Sequence, residues 1–206
     1  MQPKQIKIGP LTTSKIELND LLKAWIAISL AFAIAINGLS FSFKFLAAFL
    51  ISGVTVGIGF LFHELGHKVM AQKYGCFAEF RAFNQMLVLA VLFSFFGFIF
   101  AAPGAVMISG PVGVRRNGKI SALGPLINLA LATIFLLIYL AYPANITKLI
   151  STYGFSINAW LALFNMLPFW NFDGKKILAW NKFIYGLMVA IAVIFLFLQG
   201  FLGMGI

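Results

Sequence analysis

Long apolar runs alternate along this chain with short polar ones. A polar opening, residues 1–20, leads into a first apolar run from Ala24 to Phe43. A spanning helix needs about 20 such residues, so this run predicts a transmembrane helix. A second run extends from Phe45 to about Met70. A third, Met86 to Ala102, is shorter, rich in aromatics, and leads into Pro103-Gly104. Further helices are predicted from Ile120 to Tyr142, from about Leu149 to Phe169 and from Phe183 to about Phe201. The pattern gives an all-α polytopic membrane protein of about five to six transmembrane helices. Between the second and fourth runs it leaves a re-entrant segment. The glycine- and proline-punctuated part of it, Ala102 to Pro111, is too short to span, and Ala105 to Ile108 could be extended. A β-hairpin would fit there, with an edge open to an extended peptide; a tight loop at the membrane surface is the plainer alternative.

Composition strengthens this reading. The chain is 62% hydrophobic and 10% charged, whereas soluble domains are about half apolar and about a quarter charged. No polar stretch is long enough for a second domain, so residues 1–206 are expected to form one membrane-embedded domain, with its core at about 45–182. The polar N-terminus predicts an uncleaved first span. A net charge of +10 would suggest nucleic acid in a soluble protein; in a membrane protein it marks cytoplasmic loops, and no nucleic-acid partner is expected. With the N-terminus in the cytoplasm and the third run returning to its side of entry, thirteen basic residues lie inside and only Lys44 and Lys148 outside. That orientation places a multi-pass protein in a lipid bilayer, most simply the cell membrane. Cys76 is the single cysteine, so no intrachain disulfide exists. Gly53-Val54-Thr55-Val56-Gly57 in the second run reads as a close-packing motif.

The second run also carries the chain's only two histidines, in His63-Glu64-Leu65-Gly66-His67. Four residues apart on a helix, both imidazoles share a face and can hold one metal ion, with Glu64 beside them as general base. A catalytic zinc site takes three protein ligands and water. Without a third histidine, the missing ligand is sought among the acids. Glu17 and Asp20 precede the first predicted helix and read as solvated charges; Glu64 suits the base. Glu79 and Asp173 remain, and the predicted depth of Asp173, at the cytoplasmic end of the fifth run, matches that of the histidines. The expected site is therefore His63, His67 and Asp173 on one zinc ion with Glu64 as catalytic base, in the cytoplasmic half of the bilayer. Asn165 and Asn128 are candidates to hold substrate or the transition state; hydrogen bonding between helices is the equal alternative for both.

Three segments together resemble the site-2 protease family of intramembrane zinc metalloproteases. They are His63-Glu64-Leu65-Gly66-His67 (HExxH), Gly124-Pro125-Leu126-Ile127-Asn128 (G-P-x-x-N), and Asn165-Met166-Leu167-Pro168 followed by Phe172-Asp173-Gly174 (N-x-x-P, then [LF]-D-G). Their order and spacing agree over roughly residues 50–180. The resemblance implies zinc ligation by His63, His67 and Asp173, a base in Glu64, and substrate or transition-state contacts from Asn165. It also implies a re-entrant β-structure between the first two motifs and single-span membrane proteins as substrates; the chain is expected to be a compact form, departing from relatives that carry a PDZ or nucleotide-binding regulatory domain. The long interval from His67 to Gly124, with its extra apolar stretch, departs from the pattern. Two other uses of the same residues stay open, a metal transporter and a non-catalytic, zinc-stapled membrane protein.

Overall fold

A computed structural model describes residues 4–99, 103–142 and 144–204. The end of the third apolar run, residues 100–102, lies outside them. An N-terminal hairpin, β1 (Gln5–Ile8) and β2 (Leu11–Ser14), turns at Gly9 and runs straight into α1 (Lys15–Asn37). Helix α1 thus starts nine residues before the expected Ala24. Its start is set by Ser14, whose hydroxyl caps the Glu17 N–H at 3.2 Å. Ser14 and Glu17 are the S-x-x-E of a capping box, the sequence sign of a helix start. The helix stops at Gly38, which takes φ 67° and donates its N–H to Ile34 O at 2.7 Å. Only glycine adopts that conformation without strain.

The second run is one continuous 31-residue rod, Phe43–Lys73. It comprises α2 (Phe43–Ser52), one widened π turn (Gly53–Gly57) and α3 (Ile58–Lys73). The two glycines of the π turn lie against the Trp25 ring of α1, and Trp25 Nε1 donates to Gly53 O at 3.0 Å. A methyl group on Gly57 would sit 2.5 Å from that indole. The GxxxG spacing therefore seats an aromatic ring.

Beyond α3, residues between the second and third apolar runs make a strand, β3 (Phe77–Ala82). Helix α4 (Asn84–Ser94) follows, then β4 (Gly104–Ser109) within the segment expected to be extended. Strands β3 and β4 pair antiparallel, from Phe77 opposite Ser109 to Ala82 opposite Gly104. The chain therefore comes back beside the point from which it left. At 11 residues, α4 is too short to cross a bilayer.

Helix α5 (Val114–Ala141) packs on α3, and α6 (Asn145–Asn165) packs on α5. Pro168 ends the fifth run, and α7 (Asp173–Trp180), an element not expected from the sequence, lies against α5 before α8 (Lys182–Phe201) closes on α6. Among the described residues, four helices are long and apolar enough to span a membrane: α1, the α2–α3 rod, α5 and α8. Helix α6 has the length but is interrupted by polar residues, among them Ser151, Ser156 and Asn158. The molecule is mostly helical with multiple apolar spans, as a multi-pass membrane protein requires. The two small sheets refine the all-α expectation.

Candidate metal centre

The metal-binding face begins with spacing. His63 and His67 lie one turn apart on α3, their rings 4.7 Å between centroids and nearly perpendicular. Asp173, at the first turn of α7, approaches both: its Oδ2 lies 3.3 Å from His63 Nε2 and 3.0 Å from His67 Nε2. All three residues are buried, and their ligand atoms lie within 4.8 Å of one another. The structure thus brings the two histidines and Asp173 together across 106 residues of chain.

The other ring nitrogens explain why both Nε2 atoms face inward. His63 Nδ1 lies 2.6 Å from Asn128 Oδ1, and His67 Nδ1 lies 2.9 Å from the Ile120 carbonyl. Both partners are acceptors, so each Nδ1 carries the proton and each Nε2 presents a lone pair. Asn128 in turn donates to Gly59 O at 3.2 Å and to Asn158 Oδ1 at 2.9 Å, and Asn158 donates to Gly154 O at 2.8 Å. Both amide hydrogens of Asn128 are thereby engaged. The structure gives it the interhelical and histidine-orienting role, with no donor left for substrate.

The G-P-x-x-N segment of α5 can be read atom by atom. A Cβ at Gly124 would stand 2.5 Å from His67 Nε2 and 2.7 Å from His63 Nε2. Glycine leaves open the space in which an ion would sit. Pro125 lacks the N–H that would bond the Ser121 carbonyl one turn back, and the neighbouring Ile120 carbonyl lies 2.9 Å from His67 Nδ1. Asn128, one turn on, meets His63. A Cβ at Gly66 on α3 would stand 2.5 Å from Ile127 Cδ1 and 3.4 Å from Leu123, so glycine there lets the two helices come together.

The carboxylate is held differently. After α6 ends at Asn165, residues 166–172 turn the chain, with Trp170 at φ 50°. Gly174 then lies directly against the Met166 and Leu167 carbonyls, too close for any side chain. Asp173 is thus fixed by contact of α7 with the end of α6, and its second oxygen, Oδ1, faces Lys176 Nζ at 3.6 Å. Asp173 is expected at the end of the fifth run; it instead starts a helix of its own, α7, after the chain breaks beyond α6. Asn165 donates to Leu161 O, one turn back in its own helix, at 2.9 Å, and no hydrogen bond joins it to the cluster.

Glu64 is buried beside the histidines, and its carboxylate faces the backbone N–H of Val106 in β4. That contact is a matter of register. Phe83 N–H donates to Pro103 O at 3.0 Å, which makes residues 83 and 103 a hydrogen-bonded pair. Pairs alternate in an antiparallel ladder, so 80/106 and 82/104 are pairs whose N–H and C=O groups point away from the partner strand. On β3 those outward groups are taken: Phe80 N–H by Glu17 Oε1 at 2.9 Å and Ala82 N–H by Asp20 Oδ2 at 3.3 Å. On β4 the outward Val106 N–H faces Glu64, while the outward groups of Gly104 and Ile108 meet no other strand among the described residues. One open strand edge therefore runs past Glu64.

Among the remaining acids, one expectation is corrected. Glu17 and Asp20 are buried, since α1 starts earlier than expected and lays them along β3. Glu79, the other ligand candidate, is buried but pairs with Arg81 and accepts from Gln5 Nε2 at 2.7 Å, away from the histidines.

Two imidazole nitrogens, one carboxylate oxygen and a backing acceptor on each imidazole are a donor set that fits zinc, with a fourth position left for water. No family model and no solved structure matches the chain. A protein of Methanocaldococcus jannaschii named "Putative zinc metalloprotease" is 43% identical over 162 residues, which cover 75% of this chain and 85% of the relative. At that similarity over most of both proteins, the chain belongs to this family of zinc metalloproteases.

Proposed function

We propose that the chain is an intramembrane zinc endopeptidase of the site-2 protease type, hydrolysing peptide bonds of single-span membrane proteins. The observation that carries this reading is the buried His63, His67, Asp173 and Glu64 set, enclosed by helices apolar enough to span a bilayer. His63 Nε2, His67 Nε2 and an Asp173 oxygen would hold zinc. The bound ion supplies Lewis acidity, which makes water nucleophilic near neutral pH and polarises a carbonyl. Glu64 accepts the proton of the attacking water and returns it to the leaving amine. Asn128 and Ile120 keep both imidazoles in the ligating tautomer throughout. Asn165, at the end of α6, is the remaining candidate to meet substrate.

The substrate reading rests on β4. A peptide extended along its outer edge would pair with Gly104, Ile108 and the Val106 carbonyl, and pass beside Glu64, which faces the Val106 N–H. A membrane helix cannot do this without unwinding, since its own N–H groups are engaged, so the preferred substrates are spans with weak helical segments. The orientation with the N-terminus in the cytoplasm puts β3, α4 and β4 together as a re-entrant excursion and the site in the cytoplasmic half. The whole described chain then acts as one catalytic unit in the cell membrane. A transporter would need polar positions along a path, but Asn128 and Asn158 bond to each other beside His63.

Glu64→Gln tests the reading. Reconstituted with a single-span substrate, it should keep its zinc and lose about 10²–10⁴-fold in cleavage rate, the usual contribution of a positioned base. Wild-type cleavage by that variant would remove Glu64 from the chemistry. Metal uptake into vesicles, unaffected by the substitution, would favour transport.

A further inference from the structure

A buried ion pair joins Glu17 of α1 to Lys68 of α3, and none of the chemistry above uses it. The two side chains are 0% and 3% exposed. Glu17 spends both oxygens: Oε1 accepts from Phe80 N–H at 2.9 Å, and Oε2 accepts from Thr13 Oγ1 at 2.6 Å and pairs with Lys68. Lys68 directly follows the ligand candidate His67. Phe80 lies opposite Val106, the residue whose N–H faces Glu64. One carboxylate therefore ties the sheet to the helix that carries the histidines, from the side remote from the open edge. Asp20, one turn along α1, repeats the contact at Ala82.

Two properties set this apart from ordinary stabilisation. A lysine is rarely buried without a specific partner, and such pairs are better known for fixing register than for adding stability. The carboxylates of α1 also occupy the outward N–H groups of Phe80 and Ala82 on β3, whereas on β4 only the Val106 N–H faces a carboxylate, so a second extended chain finds more open groups on β4. We infer that Glu17 is a positioning residue for substrate: with Lys68 it holds the free edge of β4 in register with Glu64 and directs strand addition to that edge. The inference rests on the strand-addition reading above.

The test uses a synthetic peptide substrate and the same peptide N-methylated at alternate residues around the scissile bond, which cannot pair with a strand edge. In the wild type, N-methylation should raise KM about tenfold, the size of one or two lost hydrogen bonds. Glu17→Gln/Lys68→Met keeps an oxygen for Phe80, leaves no buried unpaired charge and cuts the tie to α3. There the unmodified peptide should show the raised KM already and N-methylation should add less than about twofold, as coupled groups behave. Zinc content and kcat should stay near wild type. Lys68→Arg with Glu17 intact, which can still form the pair, should keep the wild-type pattern. A full N-methylation effect in the double variant would overturn the inference while leaving strand addition intact. No effect in the wild type would remove the strand-addition reading itself, and the inference with it. Hydrogen exchange on the wild type needs no variant: the Phe80 and Ala82 amides should be as protected as the middle of α5, and exchange at the rate of the exposed turn at Gly97 would also overturn it.

Discussion

The two halves of the metal centre are built by opposite means. His63 and His67 stand on a 31-residue rod whose neighbours fix each ring at its Nδ1 atom. Asp173 stands at the start of an eight-residue helix, reached through residues 166–172 and held by the contact of Gly174 with the end of α6. One half is aimed by hydrogen bonds inside a helix pair; the other is aimed by close backbone packing. The difference teaches where the site is rigid and where it can be adjusted. The histidines cannot turn without breaking the Asn128 and Ile120 contacts, whereas the carboxylate moves with whatever moves α7.

Substitutions can break or sharpen that contrast. The largest expected effect is at the rigid half. Gly124→Ala would place a methyl group in the space facing both Nε2 atoms, and purified protein should contain little zinc by metal analysis. Asn128→Ala leaves the His63 Nδ1 proton without its acceptor and frees the ring to change tautomer. Loss of such an orienting partner typically costs about 10–100-fold in metal affinity, measurable by competition with a chelator. At the packed half, Gly174→Ala forces α7 away from Met166, so zinc affinity should fall while the α3 and α5 amides keep their hydrogen-exchange protection. Equal deprotection of both halves would show that they are not independent. Lys176→Met is the smallest test. The pair with Asp173 is 3.6 Å long and its lysine is part exposed, so zinc affinity should change by less than about threefold, as exposed ion pairs usually do.

The same contrast explains what was legible in the sequence. HELGH announces itself through helical spacing, and the helix it needs is long and apolar, so its place in the fold follows from periodicity. Asp173 could be reached through an inventory of five acids, but its helix could not: Pro168 and Gly174 read as a loop, and eight residues are too few for a periodic signal. Strand β3 was hidden for a related reason. Phe77-Ala78-Glu79-Phe80-Arg81-Ala82 buries Glu79 through its pairing with Arg81, so polarity no longer marks the solvent face. Strand β4 was easier, because no helix fits its glycine and proline frame.

Glu17 was the most instructive miss. An acid before an apolar run reads as a solvated charge, yet Ser14 and Glu17 spell a helix start. A start at Lys15 puts Glu17 and Asp20 three residues apart on one face, where they can bond a strand edge. The partners that bury them, Phe80, Ala82 and Lys68, lie 51 to 63 residues away, and no local pattern names them. Asn128 illustrates the same limit: an amide in an apolar helix signals a hydrogen bond, but only the packing of α5 on α3 shows that His63 receives it.

The measurement that bears most directly on a centre closed by two separate elements is the zinc content of the purified protein beside that of Asp173→Ala. The arrangement described here predicts about one zinc per chain in the wild type, as a single three-ligand site requires, and loss of that zinc on removal of the Asp173 carboxylate. Full zinc retention by Asp173→Ala would contradict it, leaving the two histidines to find their third ligand elsewhere.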